Sequence, residues 1–335
     1  MIGGWLPLIW LVLIAVAIYM YVLLDGFVLG TGLLFPFAPS EEDRGTMMMS
    51  VAPIWDANET WLVLGAGGLF AVFPLAYSIV LPALYLPFIF MLLGLVFRGV
   101  SFEFRFKGAR RSRKLWDRAF FVGSLVATFS QGLVLGAFVQ GFEVSGRAYA
   151  GGAFDWLTPF GVLTGVALSA GYALLGSTWI LMKAQGGLVA WARRTSVKLL
   201  IAVLACIALI SVWVPFMSPE ISARWFSLPN FYYLSQVPLL TIVCGALHWY
   251  ATTRGREIAP FLLTMALFTL GYAGLAISLW PNIVPYVIPY WAAAAAPMSQ
   301  GFLLIGTLVA LPAVLFYTGY SYYVFRGKVV RGATY

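Results

Sequence analysis

Three acidic residues interrupt long apolar stretches of this 335-residue chain and are its strongest candidates for chemistry. They are Asp25, which lies in the first apolar stretch, and Asp56 and Glu59, which stand three residues apart in the second. Carboxyl groups inside hydrocarbon are costly, and they usually face a protein interior or a cavity. Burial favours the protonated carboxyl, whereas a helix N-terminus favours the ionised one. A carboxyl held between these effects can exchange protons near neutral pH, so the three acids are candidates for a proton route.

Asp25 permits two interpretations. It lies about 20 residues after Trp5, roughly 30 Å along a helix, and it is followed by Gly26 and Gly30, whose spacing leaves a bare stripe for close helix contact. The functional interpretation is a protonatable group set against another helix. The structural one is a cap at a helix break, or a partner for a nearby arginine such as Arg98, the first charge after the third apolar stretch. Arg98 could also pair with Asp56, or it could snorkel to the membrane surface.

Asp56 and Glu59 also permit two interpretations. Their spacing predicts that they share one face of a helix, for which Ser50 is the expected N-cap. They are either part of a proton relay or an ordinary interfacial acid pair, with Trp55 and Trp61 as members of the aromatic belt. Spacing alone favours neither.

The elements that must position these residues are transmembrane helices. Hydrophobic residues make up 62% of the chain and charged residues 10%, far from the composition of a soluble domain. A helix needs about 20 apolar residues to cross the hydrocarbon. The sequence therefore predicts an all-α polytopic membrane protein, a single integral membrane domain over 1–335. Its nine predicted spans are 5–33, 51–76, 78–97, 118–141, 159–182, 199–217, 231–251, 259–280 and 298–325.

The basic residues predict the orientation of these spans. The loops after spans 1, 3, 5 and 7, together with the C-terminal tail and its Arg331, hold all of the 20 Lys and Arg except Arg147 and Arg224. Because basic loops stay in the cytoplasm, the N-terminus is predicted outside and the C-terminus inside. The basic loops fit a membrane surface, and we expect no binding of nucleic acid. All three candidate acids then lie toward the cytoplasmic side.

The sequence offers little that could bind a redox cofactor. Its single histidine, His248, rules out a bis-histidine haem site within the chain, and it is interpreted as structural. Cys206 and Cys244 stand alone in apolar stretches, and the chain has neither a P-loop nor a Cys-x-x-Cys-His motif. No cleaved signal is expected at the N-terminus. We expect any redox centre to belong to a partner, with no metal or haem ligand in this chain.

Five stretches of the sequence match one family. They are Leu24–Phe27, Pro53–Trp61, Phe97–Arg105, Pro159–Gly165 and Phe325–Lys328. On these residues the chain resembles subunit II of the bd-type quinol oxidases, and its length and last third resemble the cyanide-insensitive branch. The resemblance implies two four-helix bundles, about 5–141 and 159–280, and a peripheral helix at about 298–325.

The resemblance also implies a function. The family's complexes oxidise quinol, reduce dioxygen to water and take the protons from the cytoplasm. The haem b groups, the d-type haem site and quinol oxidation belong to a haem-bearing subunit I in the bacterial cytoplasmic (inner) membrane. This chain would then be the haem-free partner that supports assembly and is inactive alone. A small accessory subunit, a structural quinone and lipids are further partners in some members.

The resemblance assigns roles to individual residues. The aspartate matching Asp56 lies on a proton-uptake route, while Trp55, Arg98 and Glu103 match residues that line this route or a structural quinone. Two departures bear on these roles. Val28 stands where several members have a second acid, and Ala57 replaces a frequent glycine. The missing acid makes Asp56, together with Glu59, a better candidate than Asp25.

Two alternatives remain open at the level of sequence. One is a proton-coupled secondary transporter that acts alone, although such proteins are commonly built from repeats with broken helices that meet at the midplane. The other is a structural scaffold whose acids only form packing pairs between helices.

Overall fold

The computed structural model describes residues 4–108 and 110–329. The chain is mostly helical, with two short β-hairpins. The helices are α1 Leu6–Leu34, α2 Glu41–Val51, α3 Trp55–Val72, α4 Pro74–Lys107, α5 Arg113–Gln140, α6 Pro159–Lys183, α7 Gly187–Met217, α8 Pro219–Phe226, α9 Asn230–Leu234, α10 Gln236–Thr253, α11 Ala259–Leu279, α12 Tyr290–Ala293 and α13 Pro297–Val324. The hairpins pair β1 Val144–Ser145 with β2 Ala148–Tyr149, and β3 Asn282–Val284 with β4 Ile288–Pro289. Short 3₁₀ turns lie at Phe35–Phe37 and Arg110–Ser112.

Eight helical segments in the described residues are long and apolar enough to cross a membrane. They are α1, α4, α5, α6, α7, the continuous α9–α10 segment, α11 and α13. The remaining predicted window, 51–76, holds α3, whose 18 residues rise about 27 Å. Polar residues in its first two turns make α3 less apolar than the others, and the count of nine spans stays a prediction.

Several helices extend beyond the predicted membrane spans. Pro74 begins α4 and does not lie inside the preceding span, in keeping with the preference of proline for the first turn of a helix. α4 then continues about ten residues past its predicted end, and α7 begins about twelve residues before its predicted start. These extensions carry basic residues, which a helix accommodates easily once it leaves the hydrocarbon. α4 is kinked at Leu84, close to Pro82 and Pro87.

The segment before α3 was also predicted incorrectly. Ser50 does not cap α3. It lies inside the additional helix α2, where its hydroxyl donates to the Met47 carbonyl at 2.7 Å. α2 is capped by Ser40, whose Oγ accepts from the Asp43 backbone N–H, and it buries Met47 and Met48 against the bundle. The chain therefore crosses one end of the molecule as a packed helix and not as a loop.

Within the core, α1 packs closely against α6. A Cβ on Gly30 would overlap the Tyr172 carbonyl, and one on Gly176 would overlap the backbone of Gly30. The close contact predicted from Gly26 and Gly30 is confirmed. α1 also packs against α3 and α5, α4 packs against α5, and α6 packs against α7. The division into two bundles and a peripheral helix stays a prediction, although α13 is mostly exposed and contacts α1 and α3.

Contacts between distant residues define two ends of the molecule. At one end, the Ala295 backbone N–H donates to the Val72 carbonyl, and the Tyr286 hydroxyl donates to the Val139 carbonyl at 2.7 Å. At the other end, Lys183 Nζ donates to the Phe325 carbonyl at 2.6 Å. The basic loops lie at this second end, so we refer to it as the predicted cytoplasmic end. Arg331 lies outside the described residues, and the orientation itself stays a prediction.

Candidate functional site

Three side chains from three helices meet in the interior near the predicted cytoplasmic end. Arg98 on α4 donates through Nη1 to Oδ1 of Asp25 on α1, at 2.6 Å, and through Nη2 to Oε1 of Glu59 on α3. The side chains of Asp25 and Arg98 are fully buried, and that of Glu59 is 28% exposed. We call Asp25, Glu59 and Arg98 the buried ion cluster. Of the two partners considered for Arg98, the structure shows Asp25 and not Asp56.

The charges of the buried ion cluster do not balance. Two ionised carboxylates and one guanidinium leave one excess negative charge, and no second cation forms an ion pair with either acid among the described residues. An uncompensated charge in a poorly polar interior is costly, and the group then tends to bind a proton. A cluster of this composition holds one exchangeable proton when it is neutral.

Helix packing holds the cluster in place, and Asn58 contributes most directly. This residue is fully buried, its Nδ2 donates to the Leu24 carbonyl at 2.8 Å, and its Oδ1 accepts from the Tyr322 hydroxyl at 3.0 Å. One amide thus connects α3 to α1, next to Asp25, and to α13. Sequence reasoning did not single out Asn58, although its place beside Glu59 in a polar turn was a usable signal.

Asp56 and Glu59, which the spacing predicts on one helix face, have different surroundings. Asp56 lies in the first turn of α3 with its side chain exposed on this chain, whereas Glu59 points toward Arg98. Asp56 has no hydrogen bond or ion pair within the described part of the chain. Successive positions three apart differ by about 60° around a helix, which is enough to turn one acid outward and the next inward.

Trp55 and Glu103, the remaining predicted site residues, have different surroundings. The Trp55 ring stacks on Phe102, with centroids 5.1 Å apart, and the Arg98 guanidinium carbon lies 5.8 Å from its centroid. Trp55 therefore covers the buried ion cluster. Glu103 is exposed and forms an ion pair with Lys107 one turn later on α4. The structure brings Trp55 to the cluster and leaves Glu103 at the surface.

A second group of polar side chains, which the sequence did not reveal, lies next to Asp25. Tyr21 on α1, Gln131 on α5 and Tyr172 on α6 form a continuous hydrogen-bonded chain. Tyr21 lies one helical turn before Asp25, so the two side chains share one face of α1. Two weak signals in the sequence could have indicated this group: the tyrosine four residues before Asp25, and Gln131 in an otherwise apolar stretch.

Another ion cluster lies at the rim of the predicted cytoplasmic end. Arg105 donates through Nε to Asp117 at 2.6 Å and through Nη2 to Glu41 at 2.9 Å, and Arg44 contacts both acids at 3.5–4.0 Å. We call Glu41, Arg44, Arg105 and Asp117 the surface ion cluster. Its two cations balance its two acids. It connects α2 to α4 and α5.

His248 is buried between two threonines. Its Nε2 lies 3.1 Å from the Thr264 hydroxyl, and its Nδ1 lies 3.3 Å from that of Thr252. Both ring nitrogens therefore have partners within the protein, as expected for a structural histidine. Within the described residues, no group of three or more His, Cys, Asp or Glu is arranged to hold a metal ion.

Comparisons of the sequence with known proteins identify the family to which the chain belongs. The sequence model described as "Cytochrome bd terminal oxidase subunit II" matches residues 6–325. The chain is 28% identical to cytochrome bd-I ubiquinol oxidase subunit 2 of Escherichia coli, covering 97% of this chain and 96% of the relative. It is also 28% identical to cytochrome bd ubiquinol oxidase subunit 2 of Bacillus subtilis, covering 96% of each.

A solved structure shares the fold. A chain of the bd oxidase from Geobacillus thermodenitrificans superposes with a TM-score of 0.77 at 14% identity, covering 95% of this chain and 97% of that one. The resemblance to subunit II of the bd-type oxidases is confirmed, whereas the resemblance to the cyanide-insensitive branch stays a prediction. The chain belongs to the cytochrome bd terminal oxidase subunit II family, and it is a multi-pass inner-membrane subunit of a bacterial quinol oxidase.

Proposed function

We propose that this chain is the haem-free partner of a haem-bearing subunit I, and that its buried ion cluster carries protons from the cytoplasm toward the site of dioxygen reduction. One observation supports this more than any other: two carboxylates in the interior share a single guanidinium. A purely structural pair needs only one acid. The second acid gives the cluster a proton to take up and release.

The positions of the acids suggest the order of the route. Asp56 is exposed at the start of α3, Glu59 is partly exposed one turn deeper, and Asp25 is fully buried. A proton would enter at Asp56, pass to Glu59 and reach the side of the cluster that holds Asp25. Asp56 is favoured from the sequence, and its exposure on this chain leaves it accessible to water or to subunit I.

The histidine supports the proposal that haem belongs to the partner. Both nitrogens of His248 are hydrogen-bonded to threonines, so His248 is poorly placed to become an axial ligand. We propose that the b-type and d-type haems are bound by subunit I. When bound there, they supply the electron transfer and oxygen reduction, and this chain contributes the proton route and assembly.

The residues associated with a structural quinone do not form a fitting site in this structure. Arg98 is fully buried and both of its terminal nitrogens are committed to carboxylates, while Trp55 stacks directly on Phe102. The guanidinium therefore has no exposed donor for a quinone headgroup, and one face of the Trp55 ring is covered. We therefore assign Trp55 and Arg98 to the cluster and route no step through a quinone here.

The proposal is tested on the complete complex, with this chain expressed together with subunit I. Glu59→Gln and Asp56→Asn keep the shape of each side chain but remove its ability to carry a proton. We expect each to slow quinol-dependent oxygen consumption about tenfold or more while the haem spectrum of the purified complex is unchanged. Glu42→Gln, which changes an exposed acid on α2, is the matched control and should leave the rate unchanged.

The outcomes separate the proposal from its alternatives. Wild-type turnover in both assembled variants would remove the acids from the mechanism. Loss of the haem-containing complex in both variants would favour the alternative of a structural scaffold, in which the acids serve only helix packing. Membership of an oxidase-subunit family already argues against a transporter that acts alone.

A further inference from the structure

The two oxygens of Asp25 have different surroundings. Oδ1 accepts the 2.6 Å hydrogen bond from Arg98, whereas Oδ2 is buried and accepts no such bond from the described residues. A buried carboxylate oxygen without a donor carries a large desolvation penalty. A candidate donor is Tyr21, which lies four residues before Asp25 on α1 and therefore on the same face of that helix.

Tyr21 has a proton to give because of its hydrogen-bonded neighbours. The Tyr172 hydroxyl donates to Oε1 of Gln131 at 2.9 Å, and Nε2 of Gln131 donates to the Tyr21 oxygen at 2.9 Å. The Tyr21 oxygen thus accepts from Gln131, which leaves its own O–H free. Every donor in this chain, Tyr172 to Gln131 to Tyr21, points in the direction of Asp25.

The opposite orientation of the Gln131 amide would be less favourable. With oxygen and nitrogen exchanged, Tyr21 would donate to Gln131, and Asp25 Oδ2 would be left without a donor in a buried position. The tyrosines are 3% and 0% exposed, so water does not readily replace the missing bond. The desolvation cost of leaving Asp25 Oδ2 without a donor favours the orientation of the Gln131 amide that the structure shows.

We propose that Tyr21, oriented by Gln131 and Tyr172, is a positioning residue that donates to Asp25 Oδ2. This hydrogen bond keeps Asp25 as the ionised acid of the buried ion cluster, so that the exchangeable proton resides on Glu59. This inference rests on the proposed function. It assigns unequal roles to the two acids, a fixed anion and a proton carrier, and it adds two helices, α5 and α6, to the proton site.

The surroundings of the two acids support this division. Asp25 faces Arg98 on α4, Glu59 on α3, Tyr21 on its own helix, Tyr172 on α6 and Tyr322 on α13. Hydrogen bonds to an ionised carboxylate favour that form, and Asp25 has two available donors. Among the described residues only Arg98 donates to Glu59, and of the two acids only Glu59 has a side chain that reaches the surface. A proton carrier needs that access.

The test uses three variants of this chain in the complete oxidase. Tyr21→Phe removes only the hydroxyl, and Gln131→Met removes the group that orients it. Tyr19→Phe is the matched control, because Tyr19 lies two residues away on α1 and its hydroxyl is hydrogen-bonded to Thr269 at 2.6 Å. The measurement is quinol-dependent oxygen consumption as a function of pH, on complexes with wild-type haem spectra.

Removing the donor makes ionised Asp25 less favourable, so the cluster should hold its proton more tightly. We expect the alkaline limb of the pH profile to move to higher pH by about one to two units in Tyr21→Phe. Gln131→Met should shift it in the same direction by less, since the Tyr21 hydroxyl remains, and Tyr19→Phe should not shift it.

Three results would overturn the inference. They are an unshifted profile in assembled Tyr21→Phe, an equal shift in Tyr19→Phe, and loss of the haem-containing complex in both Tyr21→Phe and Gln131→Met. The proposed function fails separately, when Glu59→Gln and Asp56→Asn both leave turnover unchanged. Slow turnover in those acid variants together with an unshifted Tyr21→Phe profile would contradict only the role of Tyr21.

Discussion

The buried and surface ion clusters use the same chemistry at two depths. Arg98 and Arg105 lie seven residues apart on α4, two helical turns and roughly 10 Å, so they project from the same side of the helix. Each donates to two carboxylates from two other elements. The surface cluster includes a second cation, Arg44, and is neutral. The buried cluster has none and carries an excess acid.

This difference indicates what each cluster does. At the rim, where Glu41 is 56% exposed, water screens the charges and the ion pairs mainly hold α2 against the bundle. In the interior, the excess negative charge of the buried ion cluster is costly, and this cost favours binding of the proton that makes the cluster neutral. A balanced cluster is suited to a structural role, and an unbalanced buried one is suited to exchange protons.

Arg98→Met should have the largest effect. It leaves Asp25 and Glu59 without their cation in the interior, and breaking a buried ion pair in this way costs about 3–5 kcal/mol. We expect little or no assembled complex, measured as haem absorbance in detergent-purified material. Normal yield and stability would show that the cluster contributes nothing to folding, and would remove the basis of the comparison.

The double variant Arg98→Met/Asp25→Asn should be less severe than Arg98→Met alone. It leaves a single acid, Glu59, which is partly exposed and can be neutral when protonated. Recovery of part of the haem-containing complex would show that uncompensated charge, and not lost packing, is the defect. Equal loss in the single and double variants would contradict the charge argument.

Arg105→Met should have a moderate effect on stability and none on turnover. The Arg105 side chain is only 5% exposed, so its loss leaves Asp117 poorly paired and costs about 1–3 kcal/mol. The thermal unfolding midpoint of the complex should fall by several degrees while oxygen consumption per haem stays unchanged. Slowed turnover in the assembled variant would mean that the surface cluster also belongs to the proton route.

Glu41→Gln should have the smallest effect. The exposed pair with Arg105 is worth at most about 1 kcal/mol, and salt screens it. We expect a small drop in the unfolding midpoint at low ionic strength that disappears at high ionic strength. A large decrease in the unfolding midpoint that persists at high ionic strength would show that the Glu41 ion pair behaves like a buried pair. The two clusters would then not differ as proposed.

Much of the fold followed from local sequence properties. Long apolar stretches predicted the spanning helices, and the close contact of α1 was read from Gly26 and Gly30, because each depends on residues near one another in the chain. The failures also have local causes. α2 was missed since its polar first turn, beginning after Ser40, resembles a loop until its buried methionines are seen to pack.

The sequence by itself determined the class of protein, its family, and which acids lie within apolar stretches, because composition and motifs need no knowledge of packing. Only the tertiary structure decided that Arg98 binds Asp25 and Glu59, which lie 73 and 39 residues away, while Asp56 points outward. It likewise decided that Gln131 connects two tyrosines. Such contacts depend on how each helix is rotated against its neighbours, and that rotation is set by the packing of the whole bundle and not by the spacing within any one helix.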